Sequence, residues 1–331
     1  MTHSGATPTR IIFMGTPDFA VPSLVALTKY GLDIIEVITQ PNRPVGRKHT
    51  LTPPPVKTAA LAGGILVFQP EKARDLKTIE HIRALNPDLI IVAAYGQIIP
   101  KAILDIPRLG SLNVHASLLP KYRGASPIAA AIKNGETETG ITVMQIDELL
   151  DHGPIISQSR VVIAPDETGD SLTKKLSTLG AELLATTLPD FIAGKMTPRA
   201  QNHADATSTK LLTREDGKIN WHASAEEIER MVRAYDPWPG TWTELETKDL
   251  RFKIKVLQAH IVQLKSLNSH SVTQPGTIFQ TPTGFAVHCG TGALEIVKVQ
   301  PEGKRPMSAT DFLHGYPNII RLGTNSVPLL S

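Results

Sequence analysis

The stretch Arg10–Thr39 reads R-I-I-F-M-G-T-P-D-F-A-V-P-S-L-V-A-L-T-K-Y-G-L-D-I-I-E-V-I-T and indicates the fold class. Its first part, Arg10–Gly15, is a short apolar run closed by glycine, which is typical of a buried strand. Phe19–Tyr30 has apolar residues at helical spacing, and Asp33–Thr39 is a second apolar run. A strand, a helix and a strand within about 30 residues form a βαβ unit. The sequence therefore predicts a parallel sheet covered by helices.

The following segments extend the same sheet. Ile65–Phe68 is a predicted strand and Leu76–Leu85 a predicted helix. Asp88–Ala94 is an almost continuous apolar strand, suited to the middle of a parallel sheet. The first turn, G-T-P-D-F, lacks the three glycines of a dinucleotide-binding fingerprint, so we do not expect a bound dinucleotide.

Length and composition are those of a globular protein, and the length favours two domains over one. The chain has 331 residues, 20% of them charged and 41% hydrophobic, and its net charge of +3 is too small to indicate nucleic-acid binding by itself. A single cysteine, Cys289, excludes an internal disulfide and fits a reducing compartment. No apolar run reaches the ~18 residues of a transmembrane helix, and Met1–Arg10 lacks the apolar core of a secretory signal. We expect a cytoplasmic monomer that does not bind membranes.

A second stretch carries the candidate chemistry. Gly110–Ser126 reads G-S-L-N-V-H-A-S-L-L-P-K-Y-R-G-A-S, and its first residues alternate between polar and apolar, as in a strand. Asn113 and His115 therefore share one strand face, just before a basic, turn-rich loop. Both side chains can donate hydrogen bonds to an oxygen that gains negative charge, and the imidazole can also move a proton. The alternative is that they form only the solvated side of the strand.

A separate segment adds a carboxylate. Leu149–Pro154 reads L-L-D-H-G-P and places Asp151 in a turn after the apolar run Ile141–Ile146, from which it can reach a neighbouring strand end. The motif N-V-H-A-S-L-L-P-K-Y-R-G-A-S-P together with Asp151 resembles the formyltransferase family that uses 10-formyltetrahydrofolate. The resemblance extends over nearly the whole chain.

This resemblance implies an α/β fold with a Rossmann-like open, mostly parallel sheet and a smaller C-terminal domain, an OB-like β-barrel. It implies 10-formyltetrahydrofolate as the formyl donor, tetrahydrofolate as the product, and no metal. The implied catalytic residues are Asn113, His115 and Asp151. The implied folate-binding residues are Gln97, Ile98, Ile99, Ser117, Leu118, Leu119 and Pro120. For Ile98 and Ile99, a place in the hydrophobic core is an open alternative.

Two basic segments are candidate contacts for RNA. Gln40–Pro55 is rich in proline and has basic but no acidic residues, and it resembles the insertion with which the transfer-RNA-acting members of the family contact the acceptor stem. In Arg251–Lys255 the cations alternate with apolar residues and share one strand face, although an ordinary charged outer face is the alternative. The candidate tRNA-binding residues are Arg43, Arg47, Lys48, Arg251, Lys253 and Lys255.

The character of the chain changes near Lys210. Before it, Thr168–Ile192 is a predicted helix, followed by a polar segment without periodicity. After it, Ser224-Ala-Glu-Glu is a capping box, and short strands separated by turns predict a small antiparallel barrel. We therefore predict a catalytic domain at residues 1–194, a linker at 195–209, a tRNA-contacting domain at 210–322 and a tail at 323–331.

The resemblance also implies an acceptor. We expect transfer of the formyl group to the α-amino group of methionyl initiator tRNA, giving N-formylmethionyl-tRNA for translation initiation. The basic segments and the extra C-terminal domain favour tRNA over a small amine. Two alternatives remain open. One is a formyltransferase for glycinamide ribonucleotide or an amino sugar, and the other is a catalytically inactive RNA-binding protein on the same scaffold.

Overall fold

Two compact units make up the chain. The computed structural model describes residues 8–46, 48–246, 251–262 and 274–316. Unit one comprises the described residues of Met1–Pro127, Glu138–Val162 and Thr173–Lys210, and unit two those of Ile128–Thr137, Ile163–Leu172 and Leu211–Ser331. The predicted domain limits stay a prediction. Unit one includes the predicted linker, and the predicted tail at 323–331 lies outside the described residues.

Strands and helices alternate over the first 210 residues. The strands are β1 Arg10–Gly15, β2 Asp33–Ile38, β3 Arg43–Val45, β4 Thr50–Thr52, β5 Val67–Phe68, β6 Leu89–Ala93, β7 Ser111–His115, β8 Arg123–Gly124, β9 Glu138–Gln145, β10 Ile155–Val162 and β11 Ser208–Thr209. The helices are α1 Val21–Lys29, α2 Pro55–Ala62, α3 Leu76–Leu85, α4 Lys101–Leu104, α5 Pro127–Lys133 and α6 Gly169–Ile192.

Seven of these strands form one sheet in the order β10-β9-β7-β6-β1-β2-β5. The five strands from β7 to β5 pair in parallel. Strand β9 pairs antiparallel with β7, and β10 pairs antiparallel with β9. The predicted Rossmann-like, mostly parallel sheet is confirmed, and β7 lies inside it with a partner on each side.

The sheet is buried because its central strands are apolar on both faces. All five residues of β6 are buried, as are Ile11, Ile12, Phe13 and Met14 of β1. Helix α6 also buries leucines at helical spacing, namely Leu172, Leu176 and Leu184. Strand β7 therefore belongs to a sheet with a tightly packed apolar core.

The predicted basic insertion contains a short hairpin. Strands β3 and β4 pair antiparallel, with Pro44 opposite Leu51 and Val45 opposite Thr50. All six strand residues are exposed, including 57% of Val45 and 64% of Leu51. Its proline-rich sequence gives no alternating strand pattern, so the hairpin was not predicted.

The segment 195–209, hereafter the strap, is bonded to unit one. Arg199 and Ile155 exchange two backbone hydrogen bonds of 2.8 Å each. Strand β11 at the end of the strap pairs in parallel with β8. The polar composition predicted a connection between domains, and the structure adds that this connection is paired with strands of the first unit.

Helix α5 belongs to unit two by its residues 128–133. From Leu211 onward, the described part of unit two is an antiparallel sheet with two helices. Its elements are α7 Ala225–Ala234, β12 Thr241–Glu246, β13 Arg251–Val262, β14 Ile278–Thr281, β15 Gly284–His288, β16 Ala293–Pro301, β17 Met307–Ser308 and α8 Ala309–Gly315. The sheet order is β12-β13-β16-β15-β14, with β17 also on β16. The predicted antiparallel C-terminal domain is confirmed, and it is consistent with an OB-like fold.

The core of unit two forms around a few large side chains. Trp221, Val287, Leu294 and Phe312 are all buried in one cluster. Cys289 lies in the same cluster, where burial raises the pKa of its thiol to about 12. That thiol stays protonated at neutral pH, as expected of a packing residue.

Neither a bilayer-spanning helix nor a metal-binding cluster is found within the described ranges. No helix there has both the length and the apolar character that crossing a bilayer requires. No group of three or more His, Cys, Asp and Glu side chains there has the arrangement of a metal site.

The tight contact at Gly140 provides a test of the packing of β9. A β-carbon at Gly140 would overlap the carbonyl oxygen of Ser159 and the side chain of Leu118. We therefore expect Gly140→Ala to lower the free energy of unfolding by about 1–3 kcal/mol, measured by urea denaturation. At Gly63 a β-carbon meets nothing closer than 3.5 Å, so Gly63→Ala is the control and should change stability by no more than about 0.5 kcal/mol. Equal stability of the two variants would contradict this packing.

Candidate active site

Strand β7 holds two candidate side chains inside unit one. Asn113 is paired with Val92 of β6 on one side and with Met144 of β9 on the other. Asn113 is half-buried, and His115 is only 6% exposed. Because the strand is paired along both edges, residues two apart keep the same direction. The two polar side chains are therefore fixed on one face, and they are not a solvated surface.

The loop between β9 and β10 brings Asp151 to this face. Asp151 has a φ of 47°, in the left-handed region that residues other than glycine rarely adopt. Gly153 allows a close approach, since a β-carbon there would overlap the carbonyl oxygen of Gln145. The side chain of Asp151 is 11% exposed, so this backbone conformation directs the Asp151 carboxylate into the protein.

Three segments meet at that carboxylate. Nδ2 of Asn113 donates to Oδ1 of Asp151 at 3.2 Å, and the amide N–H of Gly124 donates to Oδ2 at 2.7 Å. Nδ1 of His115 lies 3.6 Å from Oδ2. The structure thus brings together Asn113, His115 and Asp151, which sequence analysis had proposed from separate stretches.

The hydrogen bond on the far side of His115 fixes its neutral tautomer. Nε2 of His115 is 2.9 Å from the carbonyl oxygen of Tyr122. A carbonyl only accepts, so Nε2 must carry the proton. In the neutral ring Nδ1 then has a free lone pair on the side of Asp151, and in the charged ring it is a second donor.

A buried network supports the loop that presents this carbonyl. The hydroxyl of Thr142 donates to the carbonyl of Ser117 at 2.7 Å and accepts from the amide of Leu119 at 3.1 Å. Gln158 donates to the carbonyl of Leu119 at 2.9 Å. The loop between β7 and β8 is therefore fixed to β9 and β10.

A cavity of about 350 Å³ lies beside the start of β7. Its wall includes Lys101 and Leu104 of α4, Ser111 of β7, and Ile146 and Asp147 after β9. The Ser111 hydroxyl is buried and has no hydrogen-bond partner among the described residues. A buried polar atom normally has a partner, so this hydroxyl fits a ligand with polar ring atoms. The volume lies at the lower end of the usual range for small-molecule sites.

This set of groups can perform acyl-group transfer. The Asn113 amide can donate to an oxygen that gains negative charge, as oxyanion-binding groups do. The Nδ1 lone pair of His115 and the carboxylate of Asp151 can each take a proton. A ligand in the cavity would lie along the same strand, two residues from Asn113.

Two family models match the chain. The model for formyl transferase matches residues 9–188, and the model for the formyl transferase C-terminal domain matches residues 211–317. The chain belongs to the formyl transferase family. The resemblance found in the sequence is confirmed, and the two matched ranges leave only residues 189–210 between them.

Curated relatives align with this formyl transferase over almost their entire length. The methionyl-tRNA formyltransferase of Chloroflexus aurantiacus is 46% identical over 317 residues, which is 95% of this chain and 99% of that protein. The methionyl-tRNA formyltransferase of Myxococcus xanthus is 43% identical over 97% of this chain and 98% of that protein.

Solved structures share the formyl transferase fold at much lower identity. HypX from Aquifex aeolicus in complex with tetrahydrofolic acid has a TM-score of 0.62 at 16% identity, covering 95% of this chain and 48% of HypX. An N-formyltransferase from Helicobacter canadensis, in complex with folinic acid and dTDP-3-aminofucose, has a TM-score of 0.61 at 20% identity. It covers 89% of this chain and all of that one. These likenesses concern the fold.

The predicted folate-binding residues of this formyl transferase occupy unequal positions. Ile98 is 90% exposed, which excludes the core alternative for it, whereas Ile99 packs against the core of the sheet. Gln97 uses its side chain to bond the backbone of Ala73 and Glu71. Leu118 and Pro120 are half-buried.

Ser117 and Leu119 are buried, and the Ser117 hydroxyl donates to the carbonyl of Lys121 at 2.6 Å. Their folate contact stays a prediction, and this burial favours a supporting role for both.

The predicted RNA-contacting cations lie in both units. Arg43 and Lys48 are exposed in and after the hairpin strand β3, and Arg47 lies outside the described residues. Lys253 and Lys255 are exposed on β13 as predicted, while the side chain of Arg251 lies outside the described part. The Lys253 ammonium lies 4.1 Å from the ring centre of Trp242. These roles remain proposals.

Sequence analysis missed the groups that hold the site from outside. The Gly124 amide and the Tyr122 carbonyl lie within the quoted motif but had no assigned role. Gln201 of the strap, which donates to the Asp151 loop, was not noticed. Of these groups, only the Gly124 amide had a local signal in the sequence, because a glycine at the end of a loop is typical of a tight turn.

The tautomer of His115 can be tested directly. We expect ¹⁵N NMR of the neutral imidazole to show a protonated Nε2 and an unprotonated Nδ1, because the Tyr122 carbonyl accepts from Nε2. The His115→Gln variant, which lacks this signal, provides the assignment. A neutral ring with its proton on Nδ1 would contradict the arrangement.

Proposed function

We propose that the chain transfers the formyl group of 10-formyltetrahydrofolate to the α-amino group of methionyl initiator tRNA. The observation that carries this proposal is that Asn113 donates to the Asp151 carboxylate at 3.2 Å while Nδ1 of His115 lies 3.6 Å from it, beside a small-molecule cavity. Relatives with the tRNA-acting name align over 95% of the chain, which supports the choice of acceptor.

The site residues account for each change of bond. The amine nitrogen bonds to the formyl carbon, and the formyl oxygen takes up the electron pair of its double bond. Asn113 donates a hydrogen bond to that oxygen, and His115 does so when Nδ1 carries a proton. The bond from the formyl carbon to the folate nitrogen then breaks as the double bond returns. The proton lost by the amine passes to His115 or Asp151, and one proton is returned to the folate nitrogen.

The cavity supports a folate ligand. Apolar side chains such as Leu104 and Ile146 can contact a flat ring, and the Ser111 hydroxyl, which has no partner in the described part of the chain, can bond a ring nitrogen or amine. Lys101 at the cavity wall is within 3.2 Å of Glu148 and 3.0 Å of Asp105. These residues fit a ring system with several donors and acceptors. The exposed Ile98 is a further candidate contact.

Surface cations support an RNA acceptor. The hairpin offers Arg43 and Lys48, and the outer face of β13 offers Lys253 and Lys255. Lysine and arginine that neutralise RNA phosphates contribute binding that weakens with salt. A formyltransferase for a small amine does not need either surface.

One assay separates the two acceptors. Purified protein is incubated with 10-formyltetrahydrofolate and either methionyl-charged initiator tRNA or glycinamide ribonucleotide. We expect consumption of the donor with the charged tRNA only. Transfer to the ribonucleotide would support the small-amine alternative, and no turnover with either would support the inactive RNA-binding protein.

The catalytic roles are tested by substitution. Asn113→Ala should lower kcat by about 10²- to 10³-fold, the usual cost of losing one donor to an oxyanion. His115→Ala should lower it at least as much, because it removes both a donor and a proton acceptor. His222→Ala, at an exposed histidine of unit two, is the control and should leave kcat unchanged. Near-normal turnover of His115→Ala with an unchanged Tm would refute its role.

The RNA contacts are tested through salt. We expect the Lys253→Ala, Lys255→Ala double variant to weaken tRNA binding and to reduce the slope of log K against log salt by about 1 per lysine. Lys195→Ala, at an exposed lysine paired with Asp190, is the control. An unchanged slope in the double variant would remove β13 from the proposed RNA surface.

A further inference from the structure

The side-chain amide of Gln201 lies against the Asp151 loop. Gln201 is 6% exposed, although it belongs to the polar strap. Its Nε2 donates to the carbonyl oxygen of Asp151 at 2.9 Å and to that of Gly153 at 2.8 Å. Its Oε1 accepts from Nε of Arg123 at 3.2 Å and from Nη2 at 2.7 Å.

The orientation of this amide follows from its partners. Carbonyl oxygens only accept and a guanidinium only donates, so Nε2 must face the loop and Oε1 must face Arg123. Both protons and both acceptor positions of the amide are then used. A fully bonded, buried amide holds its neighbours in one geometry.

The loop needs such support. Asp151 is held with a φ of 47°, and a backbone in this region persists only where surrounding contacts enforce it. On one side, the backbone N–H of Gln145 donates to the carbonyl oxygen of Pro154 at 2.9 Å and anchors the loop to β9. On the other side, Gln201 bonds the carbonyls of Asp151 and Gly153.

Arg123 links this amide to the other half of the site. Its neighbour Tyr122 offers the carbonyl that accepts from His115, and its neighbour Gly124 donates to the Asp151 carboxylate. Arg123 also donates through Nη2 to Nδ1 of His203 at 2.8 Å. The pair of Gln201 and Arg123 therefore joins the two loops that bring an imidazole and a carboxylate together.

We propose that Gln201 is a positioning residue for formyl transfer, which holds the backbone of Asp151 so that its carboxylate meets Asn113 and His115. The inference rests on the proposed function. Gln201 acts through the hydrogen bonds that its Nε2 donates to the carbonyl oxygens of Asp151 and Gly153.

Gln201→Met tests the hydrogen bonds at nearly constant size. We expect kcat to fall by about 10²-fold, because a displacement of about 1 Å in a catalytic group has that effect. The KM for the tRNA should stay within about two-fold, since the RNA surfaces are untouched. Asn202→Ala, the adjacent strap residue whose side chain bonds Asp205, is the control and should behave as the unchanged protein.

Gln201→Glu tests the donor half of the amide separately from its acceptor half. A carboxylate still accepts from Arg123 but cannot donate to the carbonyls of Asp151 and Gly153. We expect Gln201→Glu to lose as much activity as Gln201→Met. Unchanged kcat in either variant, or a loss that is fully explained by a lower Tm, would overturn the proposal.

An NMR comparison tests the inference without turnover. The ¹⁵N signal of His115 Nδ1 should change in Gln201→Met in the same direction as in Asp151→Asn, and it should not change in Asn202→Ala. An unaltered His115 signal in Gln201→Met would also overturn the positioning role. If the unsubstituted protein does not formylate charged tRNA, the proposed function fails, and the NMR comparison still decides whether Gln201 holds Asp151.

Discussion

A buried carboxylate must accept hydrogen bonds, and Asp151 receives them from two segments distant from it in the sequence. Asn113 of β7 and the backbone amide of Gly124 are its donors, and His115 lies next to it. An unpaired charge at this depth would cost several kcal/mol, so the contacts of the other two segments stabilise the Asp151 loop in this position. The chemical site is thus a direct result of how this one charge is accommodated.

The central sheet fixes the positions of Asn113 and His115 relative to the Asp151 loop. Strand β7 is paired with β6 and β9, so its register is fixed on both edges. A slip of one residue would exchange Asn113 and His115 for their apolar neighbours. The apolar packing of β6 and β1, which lie beside β7 in the same sheet, therefore has a functional effect, because it helps to fix which side chains of β7 face Asp151.

Much of this could be predicted from the sequence because the signals are local. The periodicity of Leu76–Leu85 predicted α3 with the bounds that it has, and the apolar run Asp88–Ala94 corresponds to β6. The hairpin β3–β4 was missed because a proline-rich segment shows no alternation. Burial within the Ser117–Pro120 motif could not be predicted, because adjacency in a motif does not say which side chains turn inward. Gln201 gave no signal, since its partners lie about 50 and 78 positions away in the chain.

The pairing of β11 with β8 bears on where this chain can be divided or recombined with a relative. The natural cut suggested by composition, after residue 194, would separate Gln201 and β11 from the loops that they bond. A chimera joined there would inherit strap residues from a foreign partner and would present them to the reaction centre. A crossover that keeps the strap together with the loops that it bonds has to lie beyond Lys210, where the first unit ends.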